Sequence, residues 1–126
     1  MEELKENVFK NMNLSGGELL IISDKNLENI ILNIFSNPTV LFNPIKESFG
    51  DYLELNAMVS LGRFKDTVID YSSFKNNFHL KKQVFKIVSG VDNLKILLPI
   101  NNKELEADFL FLMNDYEIKN YEIIYY

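Results

Sequence analysis

Residues 81–100 read KKQVFKIVSGVDNLKILLPI, and the interpretation of this stretch decides the architecture assigned to the rest of the chain. Two runs of β-favouring residues flank Ser89-Gly90-Val91-Asp92-Asn93, a cluster of turn formers. In an extended chain Leu94, Ile96, Leu98 and Ile100 share one face; in the first run Phe85 and Ile87 share one face while Lys82 and Lys86 point away. A loop with an even number of residues sets Phe85 and Ile87 against Ile96, Leu98 and Ile100, whereas an odd one turns lysines into that apolar face. The stretch therefore predicts a β-hairpin. Its second face mixes Val84, Val88 and Leu97 with Lys82, Lys86 and Lys95, too apolar for a free surface and too charged for a core, and is expected to meet a partner.

Downstream, Asn101 or Asn102 caps a helix over about 103–114. Leu105, Phe109, Leu112 and Met113 line one side, and Glu104, Glu106 and Asp108 sit in the first turns where the helix dipole favours acids. Residues 120–126 read as a terminal strand. With Tyr121, Ile123 and Tyr125 at a sheet edge, this strand is expected to invite pairing with another chain.

Upstream, Leu53, Leu55, Ala57, Val59 and Leu61 alternate with Tyr52, Glu54, Asn56, Met58 and Ser60, which predicts a half-exposed antiparallel strand over 51–61 closed by a Gly62-Arg63 turn. Residues 64–71 fit a strand or a helix, and 72–79 a polar connection. Leu27, Ile30, Ile31, Ile34 and Phe35 repeat at helical spacing behind Ser23 or Asp24 and stop at Asn37-Pro38, a helix of about 24–36. Residues 39–42 are expected to be extended, and Asn43-Pro44 to open a single helical turn that Gly50 closes. A short amphipathic helix over 1–13, ended by Ser15-Gly16-Gly17, precedes a brief apolar run at 18–22 that fits a strand or a buried helical turn. The expected fold is one α+β domain spanning 1–126. Its mainly antiparallel sheet is centred on the hairpin at 81–100, with the helices at 24–36 and 103–114 covering one face and a C-terminal edge strand.

The length of 126 residues suits one domain that buries roughly 65% of its unfolded surface. Ten Phe and six Tyr without Trp assign much of the core volume to rings. The absence of Cys removes disulfides, thiolate metal sites and cysteine nucleophiles. An acidic start without an apolar segment, and apolar runs too short to cross a bilayer, point to a cytoplasmic protein with no membrane partner. The formal charge of −5 without a basic block argues against direct nucleic-acid binding.

Few residues carry recognisable chemistry. His79 is the sole histidine, no nucleophile elbow or phosphate loop is present, and no cofactor or metal is expected. Arg63, the sole arginine, with Asp66 and Asp70 in GRFKDTVID, forms the candidate ligand-binding set, able to grip an anion or a divalent cation. The candidate interaction surface comprises Val84, Val88, Leu97, Tyr121, Ile123 and Tyr125. These features favour a non-catalytic interaction or assembly subunit, phage- or plasmid-encoded, whose partner is another protein or a second copy. Two rivals are a small ligand-binding domain or enzyme using Arg63 with Asp66 and Asp70, and an acidic inhibitor of a nucleic-acid-binding protein.

Overall fold

The computed structural model describes residues 2–12, 17–34, 40–74 and 76–126. Helices and strands alternate as α1 (Glu2–Asn11), β1 (Leu19–Ile21), α2 (Lys25–Ile34), β2 (Val40–Phe42), α3 (Phe49–Ser60) and β3 (Thr67–Asp70). A 3₁₀ turn over Tyr71–Phe74 leads on to α4 (Phe78–Val88), β4 (Leu94–Leu98), α5 (Lys103–Asp115) and β5 (Tyr121–Tyr125). The five strands form one sheet in the order β2-β1-β3-β4-β5, and every pair is parallel.

The expected antiparallel sheet and its hairpin are therefore corrected, and the cause is residues 81–88. They form most of α4, in which Lys81, Val84, Phe85 and Val88 follow the i, i+3, i+4, i+7 spacing and are buried. The Asn77 side chain caps this helix by accepting from the Leu80 amide. The helical period competes here with both strand registers, and Phe85 satisfies it equally well. Only the second half, Leu94–Leu98, is a strand.

Residues 51–61 are corrected in the same way. They belong to α3, which Ser48 and Asp51 start with reciprocal hydrogen bonds, a capping box, so that Gly50 lies inside the first turn and closes nothing. Gly62 follows the helix at φ +67°, a backbone conformation open to glycine. Residues 67–70 resolve as strand, and the polar connection is shortened by the 3₁₀ turn and the start of α4. The expectations at Ser15-Gly16 and at Phe35 with Asn37-Pro38 lie outside the described residues.

Connection geometry decides which face each helix covers. Parallel neighbours need crossovers, and crossovers are right-handed. The step from β1 to β2 runs one way along the sheet and the other three run the opposite way, so α2 falls on one face and α3, α4 and α5 on the other. The cores agree. Leu19, Ile21, Ile69, Ile96 and Leu98 meet Tyr52, Leu55, Val84, Phe85, Phe109 and Leu112 on the three-helix face. Leu20, Val68 and Leu97 meet Leu27, Ile31 and, from α1, Phe9 on the other. The helices expected to cover one face together thus lie on opposite faces.

The centre of the larger core is a set of rings. Phe85 approaches Tyr71 at 5.9 Å, Phe74 at 6.0 Å and Phe109 at 6.4 Å between centroids. Phe85→Ala is expected to cost about 3–5 kcal/mol in denaturant unfolding. Ile87→Ala, at a half-buried position of α4, should cost about 1 kcal/mol. Equal costs would restore the strand reading, in which both side chains share a buried face.

Candidate interaction surface

Helix α3 is apolar on two sides. Its inner side buries Tyr52 and Leu55, and the Tyr52 ring stands edge-on to Phe42 at 4.9 Å. The Tyr52 hydroxyl donates to the Pro44 carbonyl at 2.7 Å, and burial pushes its pKa up to about 12. The outer side leaves Phe49 74% and Leu53 55% exposed, and Leu61, just past the last turn, is 71% exposed.

Helix α4 runs beside it. Between them lies a groove of about 200 Å³ lined by Phe49, Tyr52, Leu53, Asn56, Gln83, Lys86 and Ile87. Lys82 stands one turn before Lys86 on the exposed side of α4, its ammonium 5.3 Å from the centre of the Phe78 ring. The start of α3 is held firmly. Ser48 N–H and Oγ each donate to Asp51 at 2.8 Å, and these bonds, the backbone one first, hold the Asp51 carboxyl below its ordinary value.

Two polar clusters lie at the rim where the strands end. In the first, Asp108 of α5 accepts from Lys81 Nζ at 2.7 Å and from the Tyr71 hydroxyl at 2.5 Å. The Lys81 ammonium sits 4.8 Å from the centre of the Tyr71 ring. Burial raises the Asp108 pKa, but the Lys81 and Tyr71 hydrogen bonds and the Lys81 charge outweigh it, and the carboxyl lies below its usual value. Beside this cluster a cleft of about 400 Å³ opens between the first turns of α4 and α5, walled by Asn76, Phe78, Lys81, Asn102, Glu104, Leu105 and Asp108.

The second cluster is centred on Asp70, the last residue of β3 and 1% exposed. Lys5 of α1 donates to Asp70 at 2.8 Å and to Ser72 Oγ at 2.7 Å, and the Ser72 hydroxyl donates to Asp70 at 2.8 Å. Desolvation pulls the Lys5 pKa down, yet the Asp70 charge and hydrogen bond, with Tyr126, hold it above the ordinary lysine value.

The candidate ligand-binding residues are not gathered in one place. Arg63 is exposed in the turn before β3, and Asp66 immediately precedes that strand. Asp70 ends the strand, about 13 Å further along at the usual strand rise. Only Asp70 joins a cluster, and its partners come from positions 5 and 72. Of the candidate interaction residues, Val84, Val88 and Leu97 are buried inside this chain. Tyr121, Ile123 and Tyr125 lie on β5 at the sheet edge, where Tyr125 is exposed and donates to Glu106 of α5. His79 is exposed, on α4 rather than in a loop.

No family model, curated protein or solved structure matches this chain. Neither the fold nor these comparisons supports a phage origin or a particular oligomeric state. Among the described residues no helix is long and apolar enough to cross a membrane, and no group of three acids or histidines is placed to hold a metal ion.

The Asp108 cluster has a measurable pH signature. A carboxyl depressed in the folded state contributes stability that is complete above the unfolded value, about 3.9 for aspartate, and is lost as the pH falls through the folded value. Asp108→Asn is expected to lower the melting temperature at pH 7, because Lys81 loses its counter-charge. The variant should also show a shallower fall in melting temperature between about pH 4 and about pH 2 than the native chain. Parallel curves across that range would show that the carboxylate carries no net stabilisation.

Proposed function

We propose that this chain is a protein-interaction module, a small subunit or accessory factor that acts by surface complementarity through the outer face of α3 and the groove beside α4. One observation carries the reading: Phe49 and Leu53, one turn apart on a helix whose other side is already buried, face solvent next to an apolar groove. Contiguous exposed apolar patches mark contact surfaces.

The test uses a photo-crosslinking amino acid placed at Asn56 in the groove and, separately, at exposed Lys119 outside it. Adducts from position 56 alone, abolished by Leu53→Ser in a chain that still melts cooperatively, are the expected result. Adduct mass then separates a second copy from a foreign partner. Equal adducts from both positions, or adducts indifferent to Leu53→Ser, would reject the reading.

The cleft at the starts of α4 and α5 favours a second reading, a site for a small polar ligand. Its volume falls within the usual ligand-pocket range of about 300–1,000 Å³, and it opens beyond the carboxyl ends of β3 and β4 with Lys81, Glu104 and Asp108 among its walls. A thermal-shift screen of small polar metabolites is expected to return a stabilising compound whose effect disappears in Glu104→Ala. A screen whose every shift survives that substitution would count against this site.

A further inference from the structure

We propose that the cleft between the first turns of α4 and α5 binds a neutral polyhydroxylated ligand, a sugar, whose hydroxyls bridge Lys81 and Asp108 and whose ring lies against Phe78. The proposal rests on the small-ligand reading of that cleft and names its ligand class.

Unspent hydrogen bonds supply the first argument. Lys81 is 5% exposed and forms part of the cleft wall. An ammonium has three N–H donors, and Lys81 gives one to Asp108 at 2.7 Å while its Nζ sits 4.8 Å from the centre of the Tyr71 ring. Among the described residues no acceptor meets the other two. The bonds that reach Asp108 from Lys81 and Tyr71 both end on Oδ2, so Oδ1 keeps its lone pairs. A donor and an acceptor therefore stand side by side in the wall of one cleft. A single hydroxyl accepts from Lys81, donates to Asp108 and displaces neither existing bond. The rim repeats this mixture. Asn102 spends its side-chain oxygen on the Leu105 amide and keeps its NH₂ group, while exposed Asn76 and Glu104 add an amide and a carboxylate that make no side-chain bond among the described residues.

Charge supplies the second. Lys81 and Asp108 already form an ion pair, so the wall holds no lone charge that calls for a counter-ion. An anion drawn to Lys81 would lie against the Asp108 carboxylate, and a cation drawn to Asp108 would lie against the Lys81 ammonium. Either would also lose its own hydration. Glu104 stands in water, where the pull of a carboxylate is weak. A neutral hydroxyl meets neither repulsion.

The third argument is the apolar wall. Phe78, 50% exposed, and Leu105 line the same cleft as these polar groups, and its volume is about 400 Å³. Apolar walls with a few placed polar groups are the usual make-up of a small-molecule site. A sugar presents C–H faces between its hydroxyls and can rest one on an aromatic ring. Phosphate and other small inorganic ions have no such face.

The test titrates the full chain with a panel of neutral monosaccharides and disaccharides, and with inorganic phosphate, glycine and putrescine as charged controls, followed by saturation-transfer NMR. At least one sugar is expected to bind, with an affinity indifferent to salt and about tenfold weaker in Phe78→Ala and in Glu104→Ala. Both positions are exposed, so both variants should still melt cooperatively. Silence from every sugar, alongside a charged control whose binding needs Glu104, would overturn the sugar proposal and leave the small-ligand site standing. Sugar binding indifferent to both substitutions would locate the sugar elsewhere on the chain and overturn the proposal as well. A panel with no probe that responds to Glu104→Ala would overturn both.

Discussion

Everything in this molecule depends on a parallel hydrogen-bond ladder that must be covered on both faces. Parallel strands cannot be joined by tight turns, so each step between neighbours requires a crossover helix, and right-handedness fixes the face on which it lands. With strand order β2-β1-β3-β4-β5, three crossovers fall on one face and one on the other. Left so, Val68 and Leu97 would have only α2 for company. The N-terminal helix closes the deficit: Phe9 packs with Leu20, Val68 and Leu97 beside α2, and Val8 and Met12 support it. The ion pair between Lys5 and Asp70 ties that helix to the end of β3. Its value lies less in net energy than in placement, because a buried pair roughly repays its desolvation while either partner left alone would be costly.

Much of this was legible in the residues, and the errors share one cause. The stripes of α2 and α5, the caps at Asp24 and Asn102, strands at 94–98 and 121–125, and the edge position of the last strand all follow from local pattern. The two segments read as strands and found as helices are the ones whose composition fits both periods. In 51–61 every second residue is apolar, yet a helix buries Tyr52 and Leu55 and leaves Leu53 and Leu61 outside. Ser48 with Asp51 three residues on, and Asn77 ahead of an apolar run, were the deciding marks in both cases, since a capping side chain starts a helix and has no role in a strand. Once those two are helices, strand and helix alternate throughout, and alternation means a parallel sheet.

The candidate site was less legible for a related reason. Arg63, Asp66 and Asp70 are close in sequence, but a strand stretched between Asp66 and Asp70 carries them to opposite rims of the sheet. Asp70 finds Lys5, 65 positions away, and Asp108 finds Lys81 and Tyr71 from other elements. Pairings of that span leave no trace in local spacing. The groove is hidden in the local pattern because Phe49 reads as part of a turn and Leu53 as part of a strand face. One turn of helix brings them together.

What distinguishes the groove from the polar clusters is how each is satisfied. Asp70 is met by Lys5, the Ser72 hydroxyl and the Ser72 amide, and Asp108 by Lys81 and Tyr71, so folding alone discharges the demands of those charges. Buried groups paired this way resist exchange, because a ligand must replace each bond it displaces. The outer face of α3 has no such closure. Covering exposed Phe49 and Leu53 removes apolar surface from water at about 25 cal/mol per Å² and breaks no existing contact. The apolar surface left open by folding is therefore at the α3–α4 groove, while the charges at the strand ends are already paired.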